Sequence, residues 1–434
     1  MKRKIDAVLD AWKAGDHRKP MALLGARQTG KTTSVLAFGA RAFKNTLHVD
    51  FIRRPDLKEA FVGSLEPEVV VANLCAMMRA SATRGETLLF LDEVQECDQA
   101  VTALKYFCTD APEWHVVAAG SLLGVRVARK ASFPVGYVDM RTLYPLDFEE
   151  FCWAVGDEAA FDLAKRSFLA MDRCAAHDML MGRYREYLLV GGMPEPVVRH
   201  AGGLSLREVR TKQREIVDAY VADMAKYAEN VDAAKIVACW NSVPNQLAKA
   251  SESTRFIWKE VASSARSSRY GTAIDWLRAA NLVNVCTQVT DGESPLKSFE
   301  NPKSFKVYLA DTGLLSCLYD ATPQDLQDKG PRTARFRGGL AENCVMQQLV
   351  AAGMRPYYWG MESKGEVEFV VKTADGVVPI EVKSGKKTAA ASVKLFTKKY
   401  GCPYIVKASA KNFGEEDGVR SVPLYATGLI GMWR

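Results

Sequence analysis

At 434 residues, with 48% apolar and 25% charged residues, the chain has ordinary globular composition and length for about three domains, which excludes a fibrous or disordered protein. No apolar run reaches the ~18 residues of a membrane span, and no signal-type apolar segment follows the basic start. Ten cysteines occur singly, without a Cys-x-x-Cys pair, as reduced thiols do, so a soluble cytoplasmic protein with no membrane contact is expected. The net charge is +7, and residues 301–434 carry most of it, with 19 Lys and Arg against 13 Asp and Glu. A basic C-terminal part is compatible with nucleic acid and equally with an ordinary solvated surface.

In chain order, Met21-Ala-Leu-Leu24 reads as a short apolar strand. It runs into Gly25-Ala-Arg-Gln-Thr-Gly-Lys31-Thr32 and then into a helical stretch, Thr33–Phe38. Strand, glycine-bounded loop and helix is the context in which G-x-x-x-x-G-K-[ST] binds phosphate. Gly25 and Gly30 allow backbone angles and close approaches that a side chain blocks, so successive N–H groups turn toward phosphate oxygens. Lys31 would reach the β and γ phosphates and Thr32 would offer its hydroxyl to Mg²⁺. The expected nucleotide contacts are Gly25, Ala26, Arg27, Gln28, Thr29, Gly30, Lys31, Thr32 and Thr33.

The apolar run Leu88-Leu-Phe-Leu ends in Asp92-Glu93, which fits a buried parallel strand delivering carboxylates to the ligand edge of a sheet. Asp92 would hold the Mg²⁺ shell and Glu93 would polarise the attacking water. The next apolar strand, His115–Ala119, leads to Ser121, a candidate γ-phosphate sensor whose plainer reading is a turn or helix cap.

With these residues in place the sequence resembles the AAA-type ATPases of prokaryotes, in particular a large family joining such a module to a C-terminal domain long described as of unknown function. Further landmarks are Leu143–Phe151, Gly191-Gly-Met-Pro-Glu195, Tyr308–Leu314 and Pro379–Gly385. The resemblance implies an α/β fold whose parallel sheet carries helices on both faces. It also implies an arginine supplied by a neighbouring subunit, hence a homo-oligomer, with Arg126, Arg129 and Arg141 as candidates by position.

Residues 156–290 are helical in texture, broken at Gly191-Gly192, Pro194 and Pro196 in what reads as a hinge or turn. Two helices, over Phe256–Val261 and Tyr270–Val283, are predicted around a Ser-rich turn, with a strand beginning at Val283, which together describe a winged helix. Arg255, Lys259, Arg266, Arg269 and Arg278 against Glu260 and Asp275 would suit DNA phosphates, yet winged helices bind proteins as well.

Gly365–Val371 and Val377–Gly385 read as strands joined at Ala374–Gly376. Alternation places Glu366 and Glu368 on one face, and Glu381 with Lys383 on another that meets it. A carboxylate followed by Glu-x-Lys on the next strand resembles the PD-(D/E)XK nucleases, and the preceding helix Gly339–Leu349 carries Glu342 at the position of their helix glutamate. The resemblance implies a restriction-endonuclease-like α/β domain, with Glu342, Glu368 and Glu381 as Mg²⁺ ligands and Glu381 and Lys383 as catalytic groups. Glu368 stands where relatives commonly have Asp, and its extra methylene moves the carboxylate outward. The plainer reading is an amphipathic hairpin with cross-strand Glu–Lys pairs. All five histidines lie in the first half, which excludes a histidine-based nuclease or zinc site near the C-terminus.

The expected organisation is an ATPase core at 1–155, a helical linker or lid at 156–230, a winged-helix-like segment at 231–300 and a nuclease-like domain at 301–434. The expected function is Mg²⁺-dependent ATP hydrolysis coupled to a DNA-interacting, nuclease-like domain. The alternatives are a nucleotide-gated DNA- or protein-binding scaffold with an inactive nuclease fold, and a regulatory ATPase acting on a protein partner.

Overall fold

The computed structural model describes residues 1–121, 133–227, 230–249, 255–328, 330–361, 365–383 and 391–434. The chain divides into two compact units, Met1–Tyr144 with Ala279–Asn281, and Pro145–Arg278 with Leu282–Arg434.

The first unit holds five strands: β1 (Met21–Leu24), β2 (Asn45–Asp50), β3 (Thr87–Asp92), β4 (His115–Ala119) and β5 (Asp139–Thr142), of which β1, β3 and β4 are the apolar runs. Their order across the sheet is β2-β3-β4-β1-β5 and every pairing is parallel. Parallel strands need crossovers, and helices α1 (Lys4–Ala14), α2 (Lys31–Ala42), α3 (Pro67–Met78) and α4 (Asp98–Thr109) supply two coated faces. Along β3, Leu88 and Phe90 pack with Leu9 and Trp12 of α1 and Phe38 of α2. The alternate residues Leu89 and Leu91 pack with Leu74 of α3 and with Leu104 and Phe107 of α4. Both faces of the strand are therefore buried, which is why the run is continuously apolar. Each such side chain adds roughly 1.5–3 kcal/mol on burial.

The second unit opens with helices: α5 (Phe148–Ala154), α6 (Glu158–Ala170), α7 (His177–Val190), α8 (Pro194–Ala201), α9 (Leu206–Tyr227), α10 (Asn230–Ala248) and α11 (Ser267–Ala279). The Gly191-Gly192 break is a crossing of backbones. A Cβ on Gly192 would lie 2.0 Å from the Leu146 carbonyl oxygen, and one on Gly191, where φ is 75°, would lie 2.7 Å from Gly313 Cα. Leu146 N–H donates to the Gly192 carbonyl (2.6 Å) and Gly192 N–H to Asp311 Oδ2 (2.6 Å), so three distant landmarks of the sequence meet at one knot.

The strands β6 (Val283–Val289), β7 (Glu300–Leu309), β8 (Tyr357–Met361), β9 (Gly365–Lys372), β10 (Val377–Val382), β11 (Ile405–Ser409), β12 (Gly414–Glu416) and β13 (Val419–Pro423) form one mixed sheet, ordered β12-β13-β11-β10-β9-β8-β6-β7. Between them run α12 (Thr312–Leu318), α13 (Pro323–Gln327), α14 (Pro331–Ala351) and α15 (Ala391–Tyr400). The strand foreseen at Val283 pairs antiparallel with β7 and parallel with β8, so it shares a sheet with the C-terminal strands. The helix foreseen at Phe256–Val261 is a short 3₁₀ turn, Trp258–Glu260. Phe256 N–H donates to the Phe305 carbonyl (2.6 Å) and the two rings stack with centroids 5.6 Å apart. Tertiary contact with Phe305 in the middle of β7 overrides the local helical preference there. Among the described residues no helix is long and apolar enough to cross a membrane.

Candidate functional site

Leu24 ends β1, and Leu143 N–H bonds its carbonyl at 2.8 Å, so the loop begins pressed against the chain leaving β5. At Gly25 φ is 140°, and a Cβ there would lie 2.3 Å from the Leu143 carbonyl oxygen. Gly30, at φ 93°, caps α2 in the left-handed region and hands the loop to the helix N-terminus, where free N–H groups and the helix dipole favour an anion. Thr29 Oγ1 donates to the Ala26 carbonyl (2.9 Å). Arg3, which belongs to no motif in the sequence, braces the loop from Nη1 to the Thr29 carbonyl (3.0 Å) and Nη2 to the Tyr144 carbonyl (2.8 Å). Gln28 is left-handed at φ 65°, while Arg27 and Thr33 are exposed.

Lys31 is buried, and its Nζ donates to the Gly25 and Ala26 carbonyls at 2.9 and 2.8 Å. Burial lowers its pKa to about 8 against the opposing pull of Glu93 and Asp92. Thr32 Oγ1 donates to Asp92 Oδ2 at 2.8 Å. The sheet order makes this possible, since β3 and β1 flank β4 and deliver their C-terminal ends to one edge. Glu93 sits at φ 50°, a conformation costing a non-glycine residue roughly 1–2 kcal/mol, and its carboxylate accepts from Gln95 Nε2 (2.6 Å) and Ser121 Oγ (3.4 Å). Lys31, Thr32, Asp92, Glu93 and Ser121 thus come to one edge of one sheet. Hydroxyl and carboxylate oxygens are the donor set that suits Mg²⁺.

Two residues that no sequence motif marks stand beside this edge. His48 Nε2 lies 3.3 Å from Asp92 Oδ2, and ligand atoms of His48, Asp50 and Asp92 fall within 4.8 Å of one another. The period-two spacing of His48 and Asp50 in a strand was the available signal. Of the arginine candidates, Arg126 and Arg129 lie outside the described residues, and Arg141 is exposed on β5 with Nη1 bonded to the Met140 carbonyl (3.1 Å).

In the second unit, Lys383 Nζ stands 3.3 Å from Glu381 Oε1 and 3.4 Å from Glu368 Oε1. Glu368 Oε2 is buried with no hydrogen-bond partner, and burial raises this carboxyl to about 7 despite Lys383. Glu342 faces other groups: Tyr308 OH donates to its Oε2 (3.2 Å), and Lys306 Nζ is 3.8 Å away. Lys306 also bonds Glu366 directly. Burial alone would lower the Lys306 pKa, but Glu366 and Glu342 raise it above the ordinary value. Four carboxylates and two ammonium groups therefore form one electrostatically linked cluster. Among the described residues, three ligand oxygens from Glu342, Glu368 and Glu381 do not come within 4.8 Å of one another. Lys306 and Tyr308 lie on β7, two residues apart and facing the same side, which alternation alone did not mark as part of a site.

Residues 17–152 match a family model described as an AAA domain. Residues 181–325 and 337–427 match two models each described as a domain of unknown function, DUF8612 and DUF4143. No curated protein matches the chain. Among solved structures it is similar to the Orc1 protein of Aeropyrum pernix in complex with DNA, at 13% identity over 73% of this chain and 91% of that one, with a TM-score of 0.27. Cdc6p of Pyrobaculum aerophilum gives 11% identity over 73% and 91% with a TM-score of 0.24. DnaA of Aquifex aeolicus bound to AMPPCP gives 16% over 63% and 85% with a TM-score of 0.22. The N-terminal unit holds an AAA-type domain with a parallel sheet, and the C-terminal sheet is mixed.

Proposed function

We propose that the chain binds Mg²⁺-ATP at the Gly25–Thr32 loop and hydrolyses it. The observation that carries this reading is the 2.8 Å bond from Thr32 Oγ1 to Asp92 Oδ2, with Glu93 next in the chain. A Mg²⁺ ion would draw on Thr32 and Asp92, Lys31 would leave the loop carbonyls for the β and γ phosphates, and Glu93 would orient the attacking water. An arginine from another copy, with Arg141 the described candidate, would complete the site and make the active form a homo-oligomer. Measured ATP turnover in Lys31→Ala and Glu93→Gln tests this; turnover unchanged in both sinks it.

The C-terminal domain on this reading is nuclease-like and DNA-interacting. In its support, α14, β8, β9, β10, α15 and β11 follow one another in the order helix, three strands, helix, strand, with Glu342, Glu368, Glu381 and Lys383 on or beside them. The orphaned Glu368 Oε2 fits a cation ligand. Residues 156–230 would serve as lid or linker and 231–300 as a winged-helix-like contact for DNA or protein.

A second reading has its own observation. Lys383 stands between Glu368 and Glu381, and Lys306 beside Glu342 and Glu366, so the ammonium groups neutralise carboxylates that would otherwise hold metal. That favours a nucleotide-gated scaffold that binds DNA or a protein without cutting. Incubation with DNA and Mg²⁺ or Mn²⁺, with and without ATP, separates the two. Cleavage that disappears in Lys383→Ala removes the scaffold; salt-dependent DNA binding without cleavage removes the nuclease.

A further inference from the structure

Strands β2 and β3 run parallel in a register that sets Asp50 beside Asp92 and His48 beside Phe90. Residues two apart on a strand share a face, so His48 and Asp50 lie on one face of the sheet, and Asp92, level with Asp50 on the parallel neighbour, lies on it too. The His48 ring lies flat on Phe90, with centroids 4.8 Å apart and planes 8° apart, which fixes the direction of its nitrogens. Its Nε2 points at Asp92 Oδ2 across 3.3 Å. Asp50 is oriented too, because its Oδ1 accepts from the N–H groups of Ile52 (3.0 Å) and Arg53 (2.9 Å). Asp92 is 5% exposed and His48 30%, so the cluster sits at the rim of the sheet, within reach of an ion from solution.

We propose that His48, Asp50 and Asp92 bind a transition-metal dication of the Mn²⁺, Co²⁺ and Zn²⁺ class, with His48 as the nitrogen ligand. One imidazole and two carboxylates with ligand atoms within 4.8 Å of one another form a borderline donor set that these ions accept, whereas Mg²⁺ takes an all-oxygen shell. Ligation through Nε2 uses the ring lone pair on that nitrogen, which belongs to the tautomer with its hydrogen on Nδ1. Three protein ligands leave positions open for water or a phosphate oxygen. The site shares Asp92 with the proposed nucleotide site, yet it requires neither ATP binding nor hydrolysis. A metal seated there engages the carboxylate that Thr32 otherwise bonds, so it would set which cation the loop presents to a nucleotide.

The test is titration of the nucleotide-free full-length chain with Co²⁺, followed by visible absorption, and with Zn²⁺, followed by calorimetry. One equivalent of Co²⁺ should give absorption bands of a low-symmetry site with a nitrogen ligand, and Zn²⁺ should displace it. His48→Gln should weaken Zn²⁺ binding by on the order of tenfold or more, with a smaller loss for Mg²⁺. Asp50→Asn keeps the oxygen that accepts the two N–H groups and serves as the second variant, with thermal unfolding as the check on folding. Absence of bands in the wild type, or Co²⁺ and Zn²⁺ binding unaltered in both variants, overturns the proposal. Loss of the ATP reading with Co²⁺ binding intact, or the reverse, tells the two hypotheses apart.

Discussion

Thr32 donates its hydroxyl to the Asp92 carboxylate across 2.8 Å, joining the first residues of α2 to the end of β3 over 60 positions of sequence. Thr32→Ala deletes the hydroxyl that would face Mg²⁺, while Thr32→Ser keeps it. Turnover with Mg²⁺-ATP is expected to fall on the order of a hundredfold in the alanine variant and to remain near wild type in the serine variant. Steady-state phosphate release for the three proteins checks this.

The glycine knot gives a prediction about stability. Gly192→Ala places a methyl 2.0 Å from the Leu146 carbonyl oxygen, an acceptor that Tyr187 OH also bonds at 2.6 Å, so backbone has to move. It is expected to destabilise by about 3 kcal/mol or more, in the range of severe overpacking. Gly182, within α7, has open space for 4 Å around the place a methyl would take, and Gly182→Ala should stabilise by about 0.5–1 kcal/mol. Denaturant unfolding of both variants measures the contrast.

Asp311 makes stability depend on pH. Burial raises its carboxyl from 3.8 to about 6, opposed by the N–H groups of Gly192 and Leu314. The folded state therefore holds this proton to higher pH than the unfolded chain. The contribution is fully present below about pH 4 and is lost as pH rises through 6, by at most ~3 kcal/mol. Asp311→Asn removes the titration, and its amide cannot accept from both N–H groups, so it should be less stable at every pH but flatter between pH 4 and 6. Denaturant midpoints across that range, compared between the two proteins, decide it.

Lys306 is 6% exposed and lies between Glu366 and Glu342. Lys306→Met strands two half-buried carboxylates and should cost about 3–5 kcal/mol. The double variant Lys306→Met with Glu366→Gln should cost less than the two single changes together. A double-mutant cycle by chemical unfolding reads the coupling, and strict additivity would contradict the pairing.

Much of the first unit was legible because its signals are local. Met21–Leu24 and His115–Ala119 are strands at the residues where the apolar runs begin and end, and the glycine loop sits between strand and helix as its spacing requires. The same holds for the hairpin of β9 and β10, whose alternation puts Glu368 and Glu381 beside Lys383. Legibility failed where one segment's conformation depends on a distant one. Phe256 lies outside any helix, bonded to and stacked on Phe305, and nothing near residue 256 announces that contact.

His48, Lys306 and Asp311 show the same division in the candidate sites. By itself the sequence determined which backbone bends, which runs are buried on both faces, and which residues end a strand in carboxylates. Those follow from covalent preference and from period. Tertiary structure decided which strand lies beside which, and hence that His48 meets Asp92, that Lys306 on β7 reaches Glu366 on β9, and that Gly192 touches Leu146 and Asp311. These meetings depend on sheet order and on the crossing of chain segments, which are set by packing the whole core and leave no period in the residues that take part.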